Sequence, residues 1–284
     1  MDKNSPARVY GVLGYPAKHS LSPLMHNAAF RALNINAEYL IFEKTPQELS
    51  GFLHSLAKEN IFGLNVTVPY KEKVIPFLNN LSDEAKLIGA VNTIKVSGDN
   101  LDGFNTDGEG FINHLSKDLK FNPTGKTVSL IGAGGASRAI SVYLCQADPK
   151  SIAIFDIDKD KALGLVNHLK EDFPNIDFKL ANSIEELKIP NCDLLINATP
   201  IGMKQSDAVL VEEKYLHKDL LVYDLIYNPA ETKLLKTAKE KGARASNGLG
   251  MLLYQGARSF ELWTDKPAPI EIIRQALNEG VKKI

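Results

Sequence analysis

Four short polar motifs hold most of the side chains in the first part of the chain that could do chemistry. They are Ser20-Leu21-Ser22-Pro23, Asn65-Val66-Thr67-Val68-Pro69-Tyr70-Lys71, Gly89-Ala90-Val91-Asn92-Thr93 and Asn105-Thr106-Asp107-Gly108. Singly each is ordinary, because serine, asparagine and aspartate cap helices and a lysine in a first helical turn is commonly solvated. As a set they supply hydroxyls (Ser20, Ser22, Thr67), amides (Asn65, Asn92), an ammonium (Lys71) and a carboxylate (Asp107). That mixture suits a small, anionic, hydroxyl-rich ligand. Lys71 and Asp107 also make a proton-transfer couple: a lysine held by a carboxylate donates to a developing alkoxide, while the carboxylate orients it or accepts the proton in reverse.

A second chemistry is written in Gly132-Ala133-Gly134-Gly135-Ala136-Ser137, which follows a strand pattern and opens a helical one. Gly132 permits a tight turn, Gly134 lets the backbone approach a pyrophosphate, and the helix amino terminus offers unpaired N–H groups and a positive dipole end. The next strand ends at Asp156, near the distance expected for a carboxylate that binds a ribose hydroxyl. Strand, turn, helix and acid together predict a dinucleotide site. The third position of the glycine pattern is Ser137, so helix and strand must accommodate one hydroxymethyl group. Asp156 has an ordinary reading as well, as a cap for the helix starting near Asp158, and the two roles are compatible.

The elements that position these groups follow from hydrophobic period. Short runs rich in β-branched residues alternate with longer helical patterns, the signature of an α/β chain with mostly parallel sheets covered by helices. Strands are expected over 9–13, 38–42, 63–68, 93–96 and 101–104, with helices over 23–33, 45–59 and 71–78; Ser22-Pro23 reads as a cap and first-turn pair. A polar stretch over 116–125 precedes a second series of strands over 126–131, 151–156, 177–180, 193–197 and 220–224. After Asn247, Gly248 and Gly250 come helical patterns over 251–262 and 269–284, where the chain could return to its first domain. Two domains are expected, 1–106 with 250–284 and 107–249.

Composition narrows the partners. With 33 Lys+Arg against 34 Asp+Glu the formal charge is -1, which gives no basic surface for nucleic acid or acidic membranes. No apolar run of about 18 residues occurs, and the amino-terminal segment is broken by Pro, Gly and charge before a signal core can form, so the protein is expected to be soluble and unprocessed. Two cysteines, Cys145 and Cys192, make neither a zinc pattern nor a disulfide framework and fit a reducing, cytoplasmic setting. The histidines form no metal-ligand spacing, so no metal is expected. A neutral surface allows monomer or homodimer.

The motifs GVLGYPAKHSLSPLMHN, GLNVTVPYK, IGAVNT, GFNTDGEG, LIGAGGASRA, NATPIGM, DLIYNP and NGLGMLLYQGA run in this order along nearly the whole chain. Together they resemble the shikimate dehydrogenase family, including its quinate/shikimate branch. The resemblance implies an amino-terminal α/β substrate domain, completed by the last helices, facing a Rossmann-type cofactor domain across a cleft. It implies reversible hydride transfer between a nicotinamide cofactor and C3 of shikimate, giving 3-dehydroshikimate, with Lys71 and Asp107 as the catalytic pair. Ser20, Ser22 and Tyr227 would bind the substrate carboxylate; Asn65, Thr67, Asn92, Asp107 and Gln255 would hold its hydroxyls or neighbouring atoms. On the cofactor side it points to Gly132, Ala133, Gly134, Gly135 and Ala136 for the pyrophosphate, to Leu225, Gly248 and Met251 about the nicotinamide with Met203 nearby, and to Asp83 close to the cofactor.

One departure bears on cofactor choice. NADP-using members usually carry an Asn-Arg-Thr type sequence after the second Rossmann strand, whereas this chain has Asp156-Ile157-Asp158. A 2′-phosphate would meet like charge there and a free 2′-hydroxyl could donate to the carboxylate, so NAD is expected over NADP, with NADP as the alternative. Lys159 and Lys161 could partly offset the repulsion. The Ser20/Ser22 pair looks like shikimate-preferring members, with quinate as a possible second substrate. A catalytically silent NAD-binding sensor is the competing class, and the presence of both Lys71 and Asp107 speaks against it.

Overall fold

The computed structural model describes residues 6–283 and has two six-stranded sheets. The chain divides into two units, one from the chain up to Gly110 together with Leu252–Lys283, the other Phe111–Met251. In the first unit the order is β1 (Arg8–Gly14), α1 (Ser22–Ala32), β2 (Ala37–Glu43), α2 (Leu49–Ser55), β3 (Ile61–Val66), β4 (Asn80–Leu81), α3 (Asp83–Ile88), β5 (Thr93–Ser97) and β6 (Asn100–Phe104), after which α4 (Asp107–Asn113) opens. The second unit contains β7 (Thr127–Ile131), α5 (Gly135–Gln146), β8 (Ser151–Phe155), α6 (Lys159–Asp172), β9 (Asp177–Leu180), β10 (Leu194–Asn197), β11 (Leu221–Asp224), α7 (Lys233–Glu240) and β12 (Arg244–Ser246). Helix α8 (Leu249–Thr264) from Leu252 onward and α9 (Ile270–Val281) return to the first unit.

The first sheet runs β2-β1-β3-β5-β6-β4, with β1 parallel to β2 and β3, and β5 antiparallel to both β3 and β6. This register decides where the polar motifs meet. Asn65 lies opposite Thr93, and Thr93 opposite Phe104. The carboxyl ends of β1, β3 and β6 and the amino end of β5 therefore share one edge of the sheet, and all four motifs emerge there. Behind it, Leu13, Leu64, Val66, Val91 and Ile94 belong to a buried core with Phe52 and Leu56 of the α2 region. Trp263 of α8 lies against Gly63 and donates its indole N–H to the Ile94 carbonyl at 2.9 Å, which fixes α8 over β3 and β5.

The second sheet is parallel throughout, in the order β12-β11-β10-β7-β8-β9. This is the doubly wound Rossmann arrangement, with its strand order reversing between β7 and β10. Leu195 and Val222 on the sheet pack with Leu187, Leu216 and Leu235 in a buried core.

Several local expectations are corrected. No helix forms over 71–78; the segment is turns ending in a 3-10 helix, Ile75–Phe77. Pro76 lacks an N–H and would clash with the preceding turn, and the Lys71 carbonyl instead accepts the Val91 N–H at 2.7 Å. The helix expected over 45–59 is confined to Leu49–Ser55, because the Glu48 carboxylate closes a turn on the Thr45 N–H and hydroxyl. Ser22 is not the cap of α1: Leu21 is, and the Ser20 hydroxyl accepts the Ser22 N–H at 3.2 Å. Strands β4 and β12 are too short to carry a readable period.

Candidate active site

At the shared edge of the first sheet, Lys71 Nζ donates to Asp107 Oδ2 at 2.5 Å. Their side chains are only 15% and 6% exposed, so the pair is shielded from competing water. Two neighbouring turns position it. The Lys71 backbone is held by Val91, and Asp107 begins α4 with its N–H donated to the Asn105 side chain at 3.0 Å; the Asn105 amide in turn donates to the Ala90 carbonyl at 2.9 Å.

Asn92 links this pair to α8. Its Nδ2 donates to Asp107 Oδ1 and Thr106 Oγ1, both at 2.9 Å, and lies 3.3 Å from Gln255 Oε1. The Thr106 backbone N–H points at Asn92 Oδ1 at 2.8 Å. Because a backbone N–H only donates, that contact fixes which end of the amide is oxygen and leaves the NH2 facing Asp107. Asn65 is buried, and its side chain is committed to the protein: Oδ1 accepts the Tyr39 hydroxyl at 2.7 Å, and Nδ2 donates to Ser259 Oγ at 2.9 Å and Thr93 Oγ1 at 3.2 Å. These contacts tie it to Tyr39, Thr93 and Ser259 behind the site.

The loop after β1 brings Ser20 and Ser22 to the same edge. Glu43 at the end of β2 accepts the Ala17 and Lys18 N–H groups at 2.7 and 3.1 Å, which lowers its pKa, and Thr67 is tied to β1 by its N–H to the Leu13 carbonyl at 2.9 Å. His26 of α1 is buried and stacks on Tyr39 with ring centroids 4.4 Å apart. Burial pushes its imidazole pKa down to about 3. The first unit thus gathers Ser20, Ser22, Thr67, Lys71, Asn92, Asp107 and Gln255 around one edge, with a cation, a carboxylate and several hydroxyl and amide groups.

In the second unit the glycine-rich turn follows β7 beside the strand-order reversal. Gly132 has φ +106°, and a Cβ there would sit 3.0 Å from the Ala198 carbonyl carbon, so only glycine fits. At Gly134 a Cβ would meet nothing within 4 Å, which leaves the backbone open to a ligand. Gly134 caps α5 without a side-chain hydrogen bond, and the first turn through Gly135 and Ala136 carries no acid. Open space over an uncapped helix start fits the pyrophosphate of a dinucleotide. Ser137 is fully buried, and its hydroxyl has no hydrogen-bond partner among the described residues, the cost of a hydroxymethyl group in the third glycine position.

Asp156 braces this turn: Oδ2 accepts the Ala133 N–H at 2.7 Å and Oδ1 the Asp158 N–H at 2.8 Å. The Ala133 N–H is therefore directed at Asp156. The helix cap is Asp158, which accepts the Lys161 N–H at 3.2 Å and pairs with the Lys161 ammonium at 3.2 Å. Elsewhere in the unit, the Leu225 carbonyl lies so close to Gly248 that a Cβ would overlap it at 2.0 Å. Met251 is buried in the first turn of α8, Tyr227 is half-buried beyond β11, and Met203 is 55% exposed in a turn after β10. Asp83 stands exposed at the start of α3 in the first unit, paired with Lys86 at 3.0 Å.

Sequence reasoning missed the buried supports. Tyr39 and Ser259 back the first site, and Asn197 with Asp224 brace the turn after β10, where Asn197 Nδ2 donates to Asp224 Oδ1 at 3.0 Å. Burial raises the Asp224 pKa. These residues lie far apart in sequence; Asn197 and Asp224 open the NATPIGM and DLIYNP motifs, but nothing in either motif showed that they pair. Among the described residues, no group of three or more His, Cys, Asp or Glu could hold a metal ion.

Two family models match, the shikimate dehydrogenase substrate binding domain over residues 12–94 and the shikimate 5'-dehydrogenase C-terminal domain over 248–277. A relative from Methanopyrus kandleri, named shikimate dehydrogenase (NADP(+)), is 42% identical over 98% of this chain and 98% of its own length. The chain belongs to the shikimate dehydrogenase family. Family structures agree: that of shikimate dehydrogenase from Aquifex aeolicus is 39% identical with a TM-score of 0.88, covering 95% of this chain and 97% of the relative. A Listeria monocytogenes shikimate 5-dehydrogenase, solved in complex with shikimate and NAD, is 34% identical with a TM-score of 0.87 over 98% and 99% of the two chains.

Proposed function

We propose that this chain interconverts shikimate and 3-dehydroshikimate with a nicotinamide dinucleotide, the first unit holding the substrate and the second the cofactor. The buried Lys71–Asp107 pair carries the reading, since it joins a proton donor to an orienting carboxylate within 2.5 Å among hydroxyl-binding groups. When bound, the reduced nicotinamide supplies the hydride for the C3 carbonyl. Lys71 Nζ donates a proton to the alkoxide developing at that oxygen, and Asp107 keeps the ammonium oriented. Ser20 and Ser22 bind the carboxylate. Thr67, Asn92 and Gln255 hold the ring hydroxyls or neighbouring atoms.

For the cofactor we favour NAD. Asp156 has one backbone N–H on each oxygen, and each oxygen keeps a lone pair with which to accept a ribose 2′-hydroxyl. No arginine follows β8, and the Lys161 ammonium is paired with Asp158, which leaves Lys159 as the neighbouring cation to set against the Asp156 and Asp158 carboxylates. The Listeria relative holds NAD, while the Methanopyrus relative is named for NADP(+). The buried, unpaired cysteines agree with a reducing, cytoplasmic setting. The test crosses shikimate or quinate with NAD or NADP and follows initial rates of reduced-nicotinamide formation. Turnover of shikimate with NAD well above NADP is expected. A preference for NADP would overturn the cofactor assignment alone, and no turnover with any pair would overturn the reaction.

A further inference from the structure

A chain of buried hydrogen bonds runs behind Asp107, branched at Thr93 Oγ1, which also lies 2.8 Å from Ser259 Oγ. The Tyr39 hydroxyl donates to Asn65 Oδ1 at 2.7 Å; Asn65 Nδ2 donates to Thr93 Oγ1 at 3.2 Å; Thr93 Oγ1 donates to Asn92 Oδ1 at 2.9 Å; and Asn92 Nδ2 donates to Asp107 Oδ1 at 2.9 Å. The Thr106 N–H fixes the Asn92 amide, so the last step cannot reverse. Thr93 is fully buried, and the other relay residues ahead of Asp107 are at most 5% exposed, so no water competes for these contacts.

We infer that this chain of donors is a positioning relay for the proposed proton transfer, with Thr93 as the residue on which it turns. Hydrogen bonds aligned head to tail polarise one another, and each strengthens the next. The accumulated donor character arrives at Asp107 Oδ1, opposite the Lys71 ammonium on Oδ2. Asp107 is thereby held at both oxygens, with its carboxylate plane and the direction of the Lys71 N–H bonds set before a substrate arrives. Thr93 is the relay member whose rotatable hydroxyl lies between two amides: it accepts from Asn65, and its one proton is turned to Asn92 when the Ser259 hydroxyl at 2.8 Å donates to it. Neither Thr93 nor Tyr39 is assigned a contact with substrate or cofactor, so both act through Asn92 and Asp107.

The inference rests on the proposed reaction, and the experiment separates the two. Thr93→Val keeps the shape and removes the hydroxyl; Thr93→Ser keeps the hydroxyl. For purified full-length protein, kcat, the KM for shikimate and the solvent deuterium isotope effect on kcat are measured with saturating dinucleotide. Loss of one buried hydrogen bond in the transition state corresponds to about a tenfold fall in kcat. The expected result is that fall in Thr93→Val, with KM changed less than about threefold, a larger solvent isotope effect because proton transfer becomes slower, and recovery in Thr93→Ser. Tyr39→Phe, which removes the first donor and keeps the ring, is expected to give a smaller fall of the same kind. Thr93→Val with unchanged kcat and isotope effect would overturn the relay while leaving the reaction in place, as would equal losses in Thr93→Val and Thr93→Ser. Wild-type protein that fails to turn over shikimate with either dinucleotide would overturn the reaction and the relay together.

Discussion

Replacing Lys71 by Met keeps most of the stem and removes the charge, which separates the lysine's electrostatic role from its packing. At 2.5 Å the attraction between Lys71 and Asp107 is about 7 kcal/mol for an effective dielectric of about 20. Desolvating each ion costs several kcal/mol, so most of that attraction is offset in the intact pair. Removing only the cation leaves the Asp107 carboxylate buried, a change that typically costs about 3–5 kcal/mol. Asn92 still donates to Oδ1, which places the expected loss near the lower end, about 3 kcal/mol. For a unit of this size that corresponds to a fall in Tm of about 6–12 °C. Turnover should fall by about 10²–10⁴ with loss of the proton donor. Dinucleotide affinity, set in the other unit, should stay within about twofold. Calorimetry, steady-state kinetics and cofactor titration on the one variant supply all three numbers. A variant that melts within about 2 °C of wild type and keeps full turnover would refute the account of the pair.

Three further outcomes are expected. Asp156→Asn combined with Ile157→Arg removes the like charge and adds a phosphate partner, so the ratio of kcat/KM for NADP over NAD should rise by on the order of a hundredfold or more; an unchanged ratio would show that Asp156 does not select the cofactor. Gly132→Ala forces a side chain to φ +106° against Ala198, which should cost about 1–3 kcal/mol and abolish dinucleotide binding, as read by thermal shift with and without NAD. His26 is neutral in the fold with its pKa near 3, while the unfolded chain binds that proton below about 6.5. Stability from this group is therefore complete above pH 6.5 and lost as pH falls toward 3, at about 1.4 kcal/mol per pH unit. Chemical denaturation at pH 7.5 and 5.0 should show about 2 kcal/mol less of this loss in His26→Leu than in wild type.

The sequence by itself determined the class of fold and nearly all the groups that could do chemistry. Period-two and continuous apolar runs located ten strands to within a residue or two, because a strand's burial pattern is local. The glycine turn before α5 was legible because Gly132, Gly134 and the following helix are contiguous. The family motifs carried Lys71 and Asp107 for the same reason. What the tertiary structure decided was which polar residues touch. Asn65 reads in sequence like a ligand contact, and the antiparallel pairing of β3 with β5 sets it opposite Thr93 and gives its amide a partner that the sequence did not show. Asp156 reads as a ribose group, and the fold gives it a second task, bracing Ala133. The helix predicted after Lys71 fails because Val91, twenty residues on, takes the carbonyl such a helix would need. Ser259 is joined to Asn65 across 194 positions. Hydrogen-bond partners this distant leave no period and no spacing in the chain, since a donor's direction is fixed only when sheet register and the return of α8 have placed its acceptor.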